Sequence, residues 1–199
     1  ARDFVRAWAV ALSPFAPYTA EEMNRFLGGS GFVAKASWPV VEGDGLEEVL
    51  VEEEALDSLI EDVKSIVRVT GNQPRLVKIL VAPRAFTGIY VGILEEVAAR
   101  GSADVGRWIR SFPQEVERGA AANLVRRFAE LARALLQRHT VDAVRSAILK
   151  ERSVYEEEVD YLRRELGCEV EVTDADYARP DPMRKALQAI PLRPGVVVS

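Results

Sequence analysis

Two prolines, Pro14 and Pro17, constrain this chain more than any other feature. Each removes a backbone donor and pushes the residue before it out of helical geometry. The helix-patterned run ARDFVRAWAVAL (residues 1–12) must therefore stop and turn there. A second helix is expected next: Thr19 and Glu22 have capping-box spacing, Met23, Phe26 and Leu27 form an apolar stripe, and Gly28-Gly29 ends it. On the first helix Phe4, Trp8 and Leu12 form a core-facing stripe. The opening reads as a helical hairpin. A connector with Gly, Ser and Pro punctuation follows to Gly45; Trp38 in it reads as packed against the hairpin and Lys35 as an isolated charge.

From Leu46 the pattern changes. Leu56, Leu59, Ile60, Val63, Ile66 and Val67 mark an amphipathic helix with an acidic opposite face. Gly71-Asn72 and Pro74 turn the chain into LVKILVA (76–82), a β-branched run that reads as a buried strand. A helix from Phe86 to Gly101 follows, with Gly88 and Gly92 expected to pack closely on the sheet. Next come a short helix at 104–112 containing Trp108, the longest helix at about 115–138, and a helix capped by Thr140. Ser153 and Glu156 form a second capping box. Cys168, Val170 and Val172 alternate with polar residues as a half-exposed strand, its thiol inward. Asp181-Pro182 opens a last helix that buries Met183, Leu187 and Ile190, and PLRPGVVVS ends the chain extended. The fold class is thus α+β or α/β: a helical hairpin (1–45), then a small mixed α/β domain (46–199) with at least three strands.

The 199 residues suffice for a real core, and no apolar run approaches the length of a membrane span. One cysteine, Cys168, excludes an internal disulfide and a cysteine-based zinc site. The opening within a helix pattern, with no initiator Met, suggests a fragment of something larger. A net charge of −5 argues against a uniformly basic nucleic-acid surface. Its distribution is uneven, however: every charge from Glu42 to Asp62 is acidic, while Arg107–Arg152 carries twice as many basic as acidic residues. Local fields steer a polyanion more than net charge does.

Catalytic chemistry is not visible. His139, the only histidine, has no Ser, Cys or carboxylate neighbour in sequence that would complete a triad. GGSG (28–31) is too short for a phosphate loop and lacks the following Lys. The acidic runs at 52 and 156 read as solvated helix starts. No catalytic, cofactor-binding or metal-binding residue is expected in this stretch. The better functional surface is basic: Arg126, Arg127 and Arg133, with Arg138, Arg145, Lys150 and Arg152, could meet phosphate through planar guanidinium forks, or be a plain solvated face.

Leu12, Pro14, Phe15, Ala16, Pro17, Ala20, Glu21, Glu22, Trp38 and Pro39 are arranged as in one known family. They resemble the closing part of the anticodon-binding helical bundle of class I aminoacyl-tRNA synthetases of the leucyl, isoleucyl and valyl group. DVGRWIRSFPQEVERGAAANLVRRFAEL and the ending ALQAIPLRPGVVVS are similar to the C-terminal domain of archaeal and eukaryotic-type leucyl-tRNA synthetases. The His-x-Gly-His and Lys-Met-Ser-Lys-Ser patterns of the catalytic domain have no match.

The resemblance implies a tRNA-recognising fragment of a leucine-tRNA ligase. The intact enzyme would be cytoplasmic and monomeric and would use ATP and magnesium. The implied partner is the long variable arm of leucine tRNA, with no DNA and no membrane. Carried over position by position, the tRNA-binding residues are Val197, Val198 and Ser199, read through their main chain, with Arg193 and Lys185 on phosphate; Arg126 and Arg133 join them from the basic face. The family often ends in an acidic residue where this chain has Ser199. The tail is expected to project as a preshaped, unpaired backbone stiffened by Pro191 and Pro194. Two alternatives remain: an isoleucyl or valyl synthetase region, and a non-catalytic tRNA-binding or scaffold protein.

Overall fold

The computed structural model describes residues 2–40, 45–71, 73–177 and 185–199. The chain divides into two compact units, 1–44 and 45–199.

In the first unit α1 (Arg2–Leu12) and α2 (Pro17–Phe26) are joined by a tight turn. The amides of Phe15 and Ala16 both donate to the Leu12 carbonyl, at 3.0 and 2.9 Å. Pro17 is the first residue of α2, where its missing donor would be unpaired anyway. Thr19 thus lies inside the first turn, and the expected Thr19–Glu22 box does not form. Glu21 instead accepts from the Val33 amide at 2.9 Å and ties α2 to the turn at Val33–Lys35. The buried contact runs through small side chains, Ala9, Ala20 and Val33. The aromatic stripes are not core: Phe4, Trp8, Phe26 and Trp38 all stay exposed. Two short helices and one turn offer no third surface within the unit to cover them.

The second unit is built on a three-stranded sheet of order β2-β1-β3. The central strand β1 (Leu76–Val81) pairs in parallel with β2 (Glu169–Asp174) and antiparallel with β3 (Gly195–Val198). A parallel pair needs a long crossover. Here it is made by α4 (Thr87–Arg100), α5 (Val105–Ile109), α6 (Arg118–Leu135), α7 (Val141–Glu157) and α8 (Val159–Leu166). Val77, Ile79 and Val81 point to one face of the sheet. They meet Leu59, Ile60 and Val63 of α3 (Leu46–Thr70), Tyr155 of α7 and Leu162 of α8. On the other face Lys78 pairs with Glu171 at 2.9 Å. A second apolar cluster lies between α4, α6 and α7, where Tyr90 and Phe128 meet edge to face at 4.9 Å.

Several local expectations change. α3, not the 115–138 segment, is the longest helix, because a turn at Pro113–Val116 delays α6 to Arg118. Ser153 caps nothing: α7 runs through it and its hydroxyl donates back to the Lys150 carbonyl at 2.7 Å. The break falls at Glu158. Gly92 packs beneath Trp108 and not on the sheet, and a Cβ there would stand 2.2 Å from the indole ring. Cys168 is half-buried beside the sheet core; burial first, then the Glu169 carboxylate, raise its thiol pKa. Asp181, Pro182 and Met183 lie outside the described residues; beyond them only a 3-10 turn, Ala186–Gln188, forms before the buried Ile190.

Substituting Gly92→Ala should force the indole out of its seat and break the bond from Trp108 Nε1 to Glu96, 2.5 Å long. We expect a loss of about 1–3 kcal/mol in denaturant unfolding. A variant as stable as the wild type would contradict this packing.

Candidate functional site

The C-terminal tail is not free. The Ser199 amide donates to the Leu76 carbonyl at 3.0 Å, and the Ser199 carbonyl accepts from Arg75 and Leu76 at 2.8 and 3.0 Å. Val197 lies opposite Lys78 and Val198 opposite Val77. The expectation of an unpaired tail backbone is therefore corrected: β1 is a β-branched strand with an open side, and the aliphatic tail satisfies it.

Half of the tail's main chain nevertheless faces outward. In an antiparallel pair the hydrogen-bonded and non-bonded positions alternate. Ser199 and Leu76 exchange bonds, so Val197 with Lys78 is the next bonded pair, while Val198 and Val196 are out of phase. The N–H and C=O groups of Val196 and Val198 consequently point away from β1. Their side chains turn into the sheet core. Along this outer edge runs a groove of about 290 Å³ walled by Ile66 and Thr70 of α3, Gln73, Pro74, Lys185 and residues 196–199. A wider hollow of about 710 Å³ continues beside it, lined by Asp62, Arg127, Glu130, Gln188, Arg193 and Pro194 among others.

The edge is set by the turn before it. Ile190 and Arg193 exchange backbone bonds at 3.1 and 3.0 Å around Pro191 and Leu192. Leu192 has φ 61°, a left-handed conformation that costs a non-glycine residue about 1–2 kcal/mol. Its side chain is buried in the helical core. Its amide donates to Glu151 Oε1 at 2.8 Å. Glu151 is the one buried charged residue among the described residues. Burial pushes its carboxyl up to about 8, against the smaller lowering effect of the Leu192 amide. At neutral pH it is thus mostly a neutral acid whose carbonyl oxygen accepts.

The basic residues separate into two groups. Arg138 pairs with Glu54 at 2.6 Å, Lys150 with Glu48, Arg145 with Glu95 and Asp142, and Arg152 with Glu156 and Asp174. Those side chains stitch the acidic face of α3, and the neighbouring elements, onto α7; they are not an open cationic face. The expectation that acidic runs are merely solvated is corrected by the same pairs. His139 joins them, its Nε2 3.1 Å from Glu54 Oε2. Arg127 donates to the Leu187 carbonyl at 3.3 Å, bracing the segment that leads into the turn. Arg126 is exposed and unpaired among the described residues. Arg133 is exposed, its Nε on the Gly101 carbonyl at 3.1 Å. Arg193 reaches Asp62 at 3.5 Å.

Of the expected tRNA contacts, Lys185, Val197, Val198 and Ser199 therefore line one groove, Arg193 lines the hollow beside it, and Arg126 and Arg133 sit apart on α6. The sequence reading missed Glu151 and the groove wall. Glu151 had a signal: it occupies the buried stripe of α7 between Ile148 and Tyr155, a costly place for a carboxyl without a task. Among the described residues no group of three or more His, Cys, Asp or Glu could hold a metal ion. No helix there is long and apolar enough to cross a membrane.

Comparison with known proteins gives a similarity of class first. Residues 1–81 match the family profile described as the anticodon-binding domain of tRNA ligase. The particular relatives are leucine–tRNA ligases, and the chain is related to them along nearly its whole length. It is 31% identical over 98% of its residues to the leucine–tRNA ligase of Methanothermobacter thermautotrophicus. It is 34% identical to that of Pyrobaculum arsenaticum over 98%, and 33% identical to that of Pyrococcus abyssi over 99%. In each case it spans only about a fifth of the relative, 20, 19 and 19% respectively.

Glu151 makes stability pH-dependent with a definite sign. An unfolded glutamate titrates near 4.3, well below the folded value of about 8, so the folded chain holds the extra proton between them. Its contribution is full below the unfolded pKa and is lost as pH rises through the folded one. Between pH 5 and 8 the unfolding free energy should fall by up to ~1.4 kcal/mol per pH unit more in the wild type than in Glu151→Gln. Parallel pH profiles for the two proteins would contradict a buried, titrating acid.

Proposed function

We propose that this chain is the C-terminal, tRNA-recognising part of a leucine–tRNA ligase, and that its second unit grips the long variable arm of leucine tRNA along the outer edge of β3. The observation that carries the reading is the pair of outward-facing peptide groups at Val196 and Val198 beside Lys185. A main-chain donor and acceptor in a narrow groove can meet the edge of an unstacked base, and unpaired loop nucleotides are where RNA offers such edges. Lys185 and Arg193 stand where the adjoining phosphates would run. Arg126, with Arg133 one face along α6, supplies sequence-independent attraction. Coupling of leucine to tRNA, with ATP and magnesium, is assigned to the remainder of the intact ligase, since neither catalytic signature occurs here.

The ladder supplies a discriminating experiment. Val198→Pro removes an outward donor and leaves the β1 bonds in place, whereas Val197→Pro removes a ladder bond to Lys78. In equilibrium binding to a tRNA with a long variable arm, Val198→Pro should weaken affinity by about five- to tenfold, one hydrogen bond's worth, with little change in thermal stability. Val197→Pro should lower stability. Unaltered binding by a folded Val198→Pro protein would remove the edge from the mechanism.

Arg126→Ala should lower the magnitude of the salt slope of tRNA binding by about 0.7–0.9 if it meets one phosphate. An unchanged slope would return that arginine to the solvent.

A further inference from the structure

We infer that Glu151 is a positioning residue for the β3 edge: through the Leu192 amide it fixes the turn from which that edge departs, and so sets the shape of the groove. The inference rests on the reading of the edge as the tRNA-binding element.

The turn itself is locally unfavourable. Position 192 needs a left-handed backbone, which glycine would adopt freely, yet it carries leucine. Two interactions hold it there: the buried Leu192 side chain in the helical core, and the bond from its amide to Glu151. Apolar packing alone is tolerant of small rotations, whereas a hydrogen bond with a fixed buried acceptor is directional. Without Glu151 the amide would face an apolar interior unsatisfied, and the turn would relax to find another partner.

What moves with the turn is the site. Arg193 and Pro194 connect it directly to β3, and Pro194 cannot absorb a change in φ. Arg193, Pro194 and Val196 all line the wider hollow. On its other side the turn touches Glu151 again: Pro191 and Glu151 share a cavity of about 20 Å³ with Tyr90, Arg84, Thr87 and Arg152. Among the described residues neither the Tyr90 nor the Tyr155 hydroxyl bonds to the Glu151 carboxyl, and the Tyr177 hydroxyl donates to the Ala189 carbonyl, so none of the three competes for it in this arrangement. The titratable and charged groups around it are Tyr90 from α4, Tyr155 and Arg152 from α7, Arg84, and more distantly Tyr177, Arg127, Asp62 and Arg193. Arg152 is taken by Glu156 and Asp174. A carboxyl in the buried stripe of α7 whose one bonded partner among the described residues is a tail amide is placed for holding that amide.

The test compares wild type, Glu151→Gln and Glu151→Met in the full chain. Gln retains an acceptor oxygen and Met fills similar volume without one. The readouts are the ratio of affinities for long-arm and short-arm tRNA, and amide hydrogen exchange at Leu192 and Ser199. Glu151→Gln should stay within about twofold of wild type in both. Glu151→Met should lose about tenfold in the affinity ratio, and its Leu192 and Ser199 amides should exchange at least ~10-fold faster while those of α6 stay protected. A folded Glu151→Met protein with the wild-type ratio and a protected Leu192 amide would overturn the inference. Should wild type itself not prefer the long arm, the reading of the groove fails, and the exchange data still decide whether Glu151 holds the edge. Should Glu151→Met not fold, exchange of the Leu192 amide in wild type decides: bonded to a buried acceptor, it must be protected to the level of the α7 core amides. A Leu192 amide that exchanges freely in folded wild type would overturn the contact.

Discussion

Strand β1 has neighbours on both sides, and the antiparallel one is the chain's own end. An apolar strand such as LVKILV cannot leave one row of peptide groups open without inviting another chain to pair with it. Filling that row with GVVV seals β1, moves the open edge to β3, and fixes which tail groups remain available. The outward set at Val196 and Val198 is a consequence of register: a slip of one residue would hand those groups to β1 and present Val197 and Ser199 instead. A tail that is rigid and half-satisfied is a better reader than a loose one, because less conformational freedom is lost when it meets RNA.

Charge is organised by the same economy of partners. The acidic amino-terminal half of α3 and the basic residues around α7 look, along the chain, like two separate fields. Folded, Glu48 and Glu54 meet Lys150, Arg138 and His139. Lys150 lowers the Glu48 pKa first, with Ser146 behind it, whereas burial raises that of neighbouring Glu52. The Arg138 and Lys150 ends of these pairs stay solvent-exposed, which keeps their individual contributions small. Their larger effect is subtractive, since they remove most of the apparent cationic face and leave Arg126 on α6 exposed and without an ion pair among the described residues.

Much of the fold was legible because its signals are local. The apolar period of α3, the β-branched run of β1, the alternation in β2 and the Thr140 cap all belong to segments whose own chemistry decides them. The failures came where one local rule competed with another or with distance. Pro17 outranked Thr19 as a helix start, and Ser153 had cap spacing but lay inside α7, whose buried stripe runs on past it to Tyr155. The aromatic residues of α1 and α2 have core periodicity, yet periodicity cannot say whether a facing surface exists within the unit. At the site, the charges near Lys185 and Arg193 could be named from the sequence. The commitment of Ser199 to Leu76 and the bond from Leu192 to Glu151 could not, because they join residues far apart in the chain.

The most direct measurement is a residue-resolved comparison of the β3 amides in free chain and in complex with a long-armed leucine tRNA. Binding at the outer edge should shift and protect the amides of Val196 and Val198, which face the groove. Those of Val197 and Ser199, already held by β1, should change little. Perturbation confined to α6, with Val196 and Val198 left as in the free chain, would contradict recognition at this edge.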